Sequence, residues 1–138
     1  MIRSAGRSAL VLGIVAGLAS LVACQKSSQP ASSGGKSASL QTMEQVAKSA
    51  HKCWFASNDQ QFRSYRFANE LNSMSGQPRF LLVPAKNYGG LPLLVVQARG
   101  ASSQVEVFGP LLNEAVGSRI NSDIARWSRG DSSCTSSA

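Results

Sequence analysis

The chain has 138 residues, 43% of them hydrophobic and 15% charged, and its formal net charge is +7. This length predicts one domain with a single core. The excess of 14 Lys and Arg over seven Asp and Glu favours anionic partners.

The first 23 residues have the three parts of a secretory signal peptide. Arg3 and Arg7 give a positively charged start without any acid, and residues 8–23 (SALVLGIVAGLASLVA) are almost wholly apolar or small. This run has about 16 residues, fewer than the roughly 20 that a membrane-spanning helix needs. Residues 1–23 therefore predict a signal peptide rather than a permanent transmembrane helix.

The end of this segment, Leu21-Val22-Ala23-Cys24, resembles the lipobox of bacterial lipoproteins. The resemblance implies a lipid in thioether linkage at Cys24, removal of the signal peptide before that residue, and acylation of the new amino terminus, with palmitate as a typical acyl group. Gln25 follows the cysteine, and in enteric bacteria a residue other than Asp at this position implies the outer membrane. The alternative, a structural cysteine at the end of a core helix, does not explain the polar segment that follows.

Residues 24–39 predict a lipidated flexible tether. After Cys24 the stretch QKSSQPASSGGKSAS has no large apolar side chain, so it cannot bury enough surface to offset the entropy of ordering it. A flexible chain of this composition spans roughly 20 Å. That length would hold a folded domain close to the membrane but clear of the lipid headgroups.

Two cysteines remain once Cys24 is assigned to the lipid. Cys53 and Cys134 form an even pair in a chain predicted to be exported, which favours a disulfide over two free buried thiols. Closing a loop of about 82 residues stabilises a fold by about 4.5 kcal/mol in the chain-entropy account. We therefore expect the disulfide to supply a large share of the stability of a small domain.

Residues 40–138 predict a small α+β domain. Apolar residues at helical spacing indicate one helix at 40–55 and another at 111–129. The predicted strands are 61–71, 79–85, 91–99 and 104–109. Because the intervening turns are short, the prediction is a four-stranded, mainly antiparallel sheet flanked by an N-terminal and a C-terminal helix, in the order α-β-β-β-β-α.

The two central strands are apolar at successive positions, which indicates burial on both of their faces. A helix on each face would make these residues ordinary core. A Cys53–Cys134 bridge instead joins the end of the first helix to the tail after the second, which favours both helices on one face. The other face would then be an uncovered surface for a partner. The candidate residues for this surface are Leu93, Leu94, Val95 and Val96.

The sequence has no arrangement that indicates catalysis or a metal site. His51 is the only histidine, and His51-x-Cys53 is at most half of the three or four ligands that zinc takes. No nucleophile motif such as G-x-S-x-G occurs, and the acidic residues fall mostly where solvated helix faces or turns are predicted. We therefore expect no enzyme activity, no metal and no cofactor.

These patterns predict a membrane-tethered, periplasm-facing lipoprotein that acts as a non-enzymatic interaction or assembly module of the cell envelope. The alternative is a periplasmic lipoprotein that binds a ligand or inhibits a hydrolase. The expected partners are the membrane, through the lipid anchor, and an envelope protein or an anionic envelope component. Nucleic acid is not expected outside the cytoplasm, and the basic residues beside the strands could also be charges that only maintain solubility.

Overall fold

Four antiparallel strands form one sheet whose order in space follows the order in the chain. The structure, a computed structural model, describes residues 35–135. The strands are β1 (Tyr65–Glu70), β2 (Arg79–Pro84), β3 (Leu94–Ala98) and β4 (Val105–Phe108). The predicted α+β fold and its element order are confirmed. Strand β3 begins later than predicted, after Pro92, which has no N–H to give to a ladder.

Helix α1 (Ala38–Ala50) begins two residues before its predicted start. Ser37 caps it, because the Ser37 hydroxyl accepts a hydrogen bond of 3.2 Å from the backbone N–H of Leu40. Ser39 is buried inside this helix and donates a hydrogen bond of 2.5 Å to the carbonyl of Gly100. The last two residues of the predicted tether therefore belong to the folded domain.

The chain continues from α1 into a π-helix over His51–Ala56. The wider turn is visible in the backbone hydrogen bond of 3.2 Å from Ser57 N–H to the carbonyl of Lys52, five residues earlier. This segment places Cys53 and Trp54 in the interior, where both are almost fully buried.

The helix predicted over 111–129 is interrupted. Pro110–Asn113 form a 3-10 turn, and helix α2 covers only Gly117–Ser128. A Cβ atom on Gly117 would overlap the backbone of Leu112, so the close approach of these two segments requires glycine at the start of α2. The apolar residues keep their helical spacing across this interruption, so the sequence pattern alone does not indicate it. Its buried members are Val116, Ile120, Ile124 and Trp127.

Both helical segments lie on the same face of the sheet. The ring centroid of Trp54 is 5.1 Å from that of Trp127 and 6.4 Å from that of Phe80, so side chains from the π-helix, α2 and β2 meet in one core. The strand residues of this cluster are Phe80, Leu82, Leu94, Val96 and Ala98. They occupy alternate positions, and side chains of a strand alternate between the two faces of a sheet. The intervening residues Leu81 and Val83 lie outside the cluster and so mark the opposite face.

The predicted disulfide between Cys53 and Cys134 is confirmed, with 5.1 Å between the two Cα atoms. Hydrogen bonds position the tail for it. The carbonyl of Ser133 accepts from Trp127 Nε1 at 2.8 Å and from Arg126 Nη2 at 3.1 Å. Because these donors belong to α2, the tail folds back onto the helix and brings Cys134 to the π-helix.

A buried carboxylate also joins α2 to the π-helix. Asp123 accepts a hydrogen bond from Trp54 Nε1 at 2.8 Å and another from Arg126 Nη2 at 2.6 Å. Arg119 Nε lies 3.5 Å from the same carboxylate. A buried charge needs such partners to offset its lost hydration, so Asp123 depends on all three side chains.

The predicted signal peptide (1–23), the lipidated Cys24 and Gln25 lie outside the described residues. Within residues 35–135, no helix combines the length and the apolar character needed to cross a membrane.

Candidate functional site

The sheet has an open face, opposite the one that the two helices cover. A row of cross-strand neighbours runs over this open face through all four strands: Ala68 pairs with Leu81, Leu81 with Val95, and Val95 with Phe108. We call these four residues the apolar row. Its exposure increases toward β4, from 9% for Leu81 to 46% for Phe108.

A second row of neighbours, which is polar, lies beside the apolar row on the open face. Arg79 Nε is 2.6 Å from a carboxylate oxygen of Glu70, and Gln97 Nε2 donates to Glu106 at 3.0 Å. Arg99 Nε is also 3.0 Å from Glu106. The two carboxylates in this row are therefore both paired, and on this side the apolar row is bordered by paired charges.

Of the four residues predicted as a partner surface, the structure places only Val95 on the open face. Leu94 and Val96 have no exposed surface and belong to the core beneath the helices. Leu93 precedes β3 and also packs against that core. Its backbone is held there by two hydrogen bonds, from its N–H to Leu82 at 2.8 Å and to its carbonyl from Leu111 at 3.0 Å.

No local sequence pattern identifies the other members of the apolar row. Ala68, Leu81 and Phe108 are separated by up to 40 positions in the chain, and only the pairing register brings them together. One signal was available. In the strands that contain Val95 and Phe108, apolar residues occupy both odd and even positions. This pattern is typical of strands with apolar side chains on both faces of a sheet.

A groove of about 860 Å³ runs between α1 and the edge strand β1. Three rings form an aromatic floor: the Phe67 centroid lies 5.7 Å from that of His51 and 5.8 Å from that of Phe55. The other residues of its lining include Glu44, Lys48, Tyr65, Arg66, Asn69 and Tyr88. The groove is thus apolar at its base and polar at its rim.

The groove exists because of how the helices are placed over the sheet. Ala47 and His51 on α1 and its π-helical extension line one wall, while β1 forms the other. Helix α2 packs against α1 and does not extend over β1. Tyr65 and Phe67 therefore remain only half-buried, although they face the helical side of the sheet.

Two acidic groups have altered acidity, and neither lies in the groove or on the open face. A hydrogen bond from Arg119, whose Nη2 is 2.6 Å from the carboxylate, holds the pKa of Asp59 below its ordinary value. The backbone N–H of Ser133 does the same for the pKa of Asp131, through a hydrogen bond of 3.0 Å. Both carboxylates stabilise local turns, and neither has the neighbours of a general acid or base.

The described residues offer no metal site. Cys53 is bonded to Cys134 and cannot act as a metal ligand with His51. Between positions 35 and 135, no three His, Cys, Asp or Glu side chains come together in a way that could hold an ion.

Comparison of the chain with models of known protein families gives no match, and comparisons with curated proteins and with solved structures give none either.

Proposed function

We propose that the protein is a membrane-tethered lipoprotein of the bacterial cell envelope, which faces the periplasm and acts as a non-enzymatic interaction or assembly module. The anchor would be lipid on Cys24, and Gln25 favours the outer membrane. Support comes from the charged and apolar residues 1–23, which end in Leu-Val-Ala before the cysteine. Lipid attachment with two or more chains makes anchoring stable without a transmembrane helix.

The disulfide supports export. Bonds such as Cys53–Cys134 persist in oxidising compartments, the periplasm among them, and are rare in the cytosol. An exported location also makes nucleic acid an unsuitable partner despite the positive net charge. The remaining candidates are an envelope protein and an anionic envelope component.

The open face of the sheet is the observation that carries the interaction role. Both helices cover the other face, and the apolar row leaves Phe108 46% exposed beside the half-buried Val95. An apolar stripe with a polar border is typical of a protein–protein contact. The paired carboxylates of the polar row would enter such a contact with part of their charge already balanced.

Metabolic labelling with palmitate tests the anchor. The unaltered chain should take up label and sediment with membranes, whereas a Cys24→Ser chain should take up none and retain its signal peptide. A Cys53→Ser chain is the matched control, because it loses a different thiol and should still be labelled. Label on Cys24→Ser equal to that on the unaltered chain would contradict the proposal.

The second candidate function is that of a periplasmic lipoprotein which binds a ligand or inhibits a hydrolase. The groove between α1 and β1 favours it, because the volume of about 860 Å³ and the aromatic floor are those of a ligand site. Purification of the lipidated protein from detergent-solubilised envelope separates the two candidates. A stable membrane-protein partner supports the first, and a captured soluble hydrolase or glycan supports the second.

A further inference from the structure

We propose that the groove between α1 and β1 binds an acidic polypeptide segment in extended conformation, which pairs with β1 as a fifth strand. This proposal names the class of ligand for the second candidate function. It rests on that function only for the location of the ligand, which is the periplasm. The assignment follows from three properties of the groove: free backbone groups, an aromatic floor and unpaired positive charge.

The outer edge of β1 carries backbone groups that no other strand within residues 35–135 meets. The N–H of Ala85 donates to the carbonyl of Ser64 at 2.9 Å, and this pair continues the register of β1 with β2. Hydrogen-bonding groups alternate along an antiparallel strand, so Phe67 and Asn69 direct theirs away from β2. Since β1 is an edge strand, an extended chain can pair with these two residues.

The same two residues turn their side chains toward the groove. Their cross-strand partners, Phe80 and Leu82, belong to the covered face, and cross-strand partners share a face. A fifth strand on β1 would therefore point every second side chain into the groove, against Phe67 and His51. Apolar side chains fit there, because they would cover the half-buried Phe67 ring and the exposed His51 ring, which are in edge contact.

Positive charge without a partner lies on both sides of β1, at Lys48 on the groove side and at Arg66 on the open face. Among residues 35–135, neither Lys48 nor Arg66 makes an ion pair, and both are exposed. Glu44, also in the lining, is neutralised by Lys36 at 2.7 Å. Residues 1–34 contain no Asp or Glu, so no side chain from that part of the sequence can neutralise the two cations. Charge complementarity therefore favours a ligand with carboxylates.

The positive charge of Arg66 and the apolar ring of Phe67 together specify the ligand. Arg66 occupies a position of β1 whose side chain points to the open face, opposite in parity to Phe67. A bound strand would place an acidic residue beside Arg66 and an apolar residue beside Phe67. The expected segment alternates apolar and acidic residues over about the five or six positions that a strand of this length can pair.

Amide hydrogen exchange tests the pairing directly. The oxidised full-length protein in mild detergent is mixed with a capped synthetic peptide of alternating valine and glutamate, roughly seven residues long. We expect exchange at Phe67 and Asn69 to slow by at least about tenfold, because their N–H groups acquire partners. Exchange at Arg66 and Ala68, which already face β2, should change by less than about twofold.

Two substitutions separate the contributions of charge and backbone. Arg66→Glu should weaken peptide binding by roughly tenfold through like-charge repulsion, while Lys52→Glu, an equal change on an exposed residue outside the lining, should leave affinity within about twofold. Asn69→Pro removes an outward N–H without breaking the ladder to β2. It should abolish binding and leave the thermal midpoint within a few degrees.

Several results would overturn the assignment. A peptide with lysine in place of glutamate should not bind, and equal binding would contradict the charge argument. Unchanged affinity in Asn69→Pro would contradict strand pairing, and so would protection confined to Val95 and Phe108. Phosphatidylglycerol vesicles that protect the same amides and displace the peptide would show that the groove takes lipid instead. Cys24→Ser should bind peptide normally, so failure of the anchor and failure of the groove are separate results.

Discussion

The two faces of the sheet come from the same strands but differ in what lies over them. On the covered face, Phe80, Leu82 and Val96 have no exposed surface, because both helices pack there. On the open face, exposure changes across the sheet, from 4% for Val83 on β2 to 46% for Phe108 on β4. The covered face is thus dry on the two central strands, whereas exposure on the open face is graded toward β4.

The gradient shows that a central strand can be buried without a helix above it. Leu81 has Ala68 on one side and Val95 on the other, and long side chains from the polar row stand next to it. Such side chains cover apolar surface with their aliphatic parts while their charged ends remain in water. Apolar residues at successive strand positions can therefore be buried by neighbouring side chains of the sheet as well as by a helix that covers the face. Toward β4 the apolar row becomes accessible to a partner, because Val95 is half-buried and Phe108 is 46% exposed.

The largest expected effect comes from placing a charge on each face at adjacent positions. Val96→Asp puts a carboxylate into the core and should cost about 5 kcal/mol or more, enough to unfold most small domains. Val95→Asp, its matched control on the open face, should cost less than about 1 kcal/mol. Urea denaturation of both variants measures the difference. Equal destabilisation would mean that the two faces are not distinct.

Reduction of the Cys53–Cys134 disulfide should have the next largest effect. The bond holds the π-helix and the tail after α2 on the covered face, and a loop of this size is worth about 4.5 kcal/mol. At roughly 4–8 °C per kcal/mol, the thermal midpoint should fall by well over ten degrees. Calorimetry with and without reductant measures it. A shift of only a few degrees would show that the helices hold the covered face without the bond.

Removal of the buried carboxylate at Asp123 should cost roughly 3 kcal/mol, because Asp123→Ala leaves the Trp54 indole N–H without an acceptor and the buried Arg126 without a nearby counter-charge. Asp131→Ala is the control, since Asp131 is exposed and should contribute much less. Chemical denaturation compares the two variants. Similar losses of stability in the two variants would show that the buried hydrogen bonds of Asp123 contribute no more than an exposed carboxylate does.

The smallest expected effect is a pH dependence at Asp59. Its pKa is lowered by Arg119 in the folded state, so the stabilisation is fully present above the ordinary Asp value near 3.9 and is lost as pH falls through the folded pKa. Asp59→Asn should be less stable than the unaltered protein at pH 6, and the two thermal midpoints should converge below about pH 4. Parallel curves between pH 6 and 2 would contradict this.

Sequence patterns predicted the order of elements and the disulfide, because both depend on local spacing and on an even count of cysteines. They did not predict which strand residues share a face across the sheet. Leu93 illustrates the reason: its alternation with Val95 suggests one surface, but the chain is irregular before β3 and turns Leu93 toward the core. The groove also depends on where α1 crosses the sheet, which no local pattern encodes.

Site-specific photocrosslinking in intact cells tests the central claim, that the open face meets a partner. A photoreactive residue at Phe108, on the open face, should yield a discrete crosslinked product that sediments with the envelope. The same residue at Ala125, which is exposed on α2 above the covered face, should yield none. The account predicts this asymmetry. A product from Ala125 with none from Phe108 would contradict it.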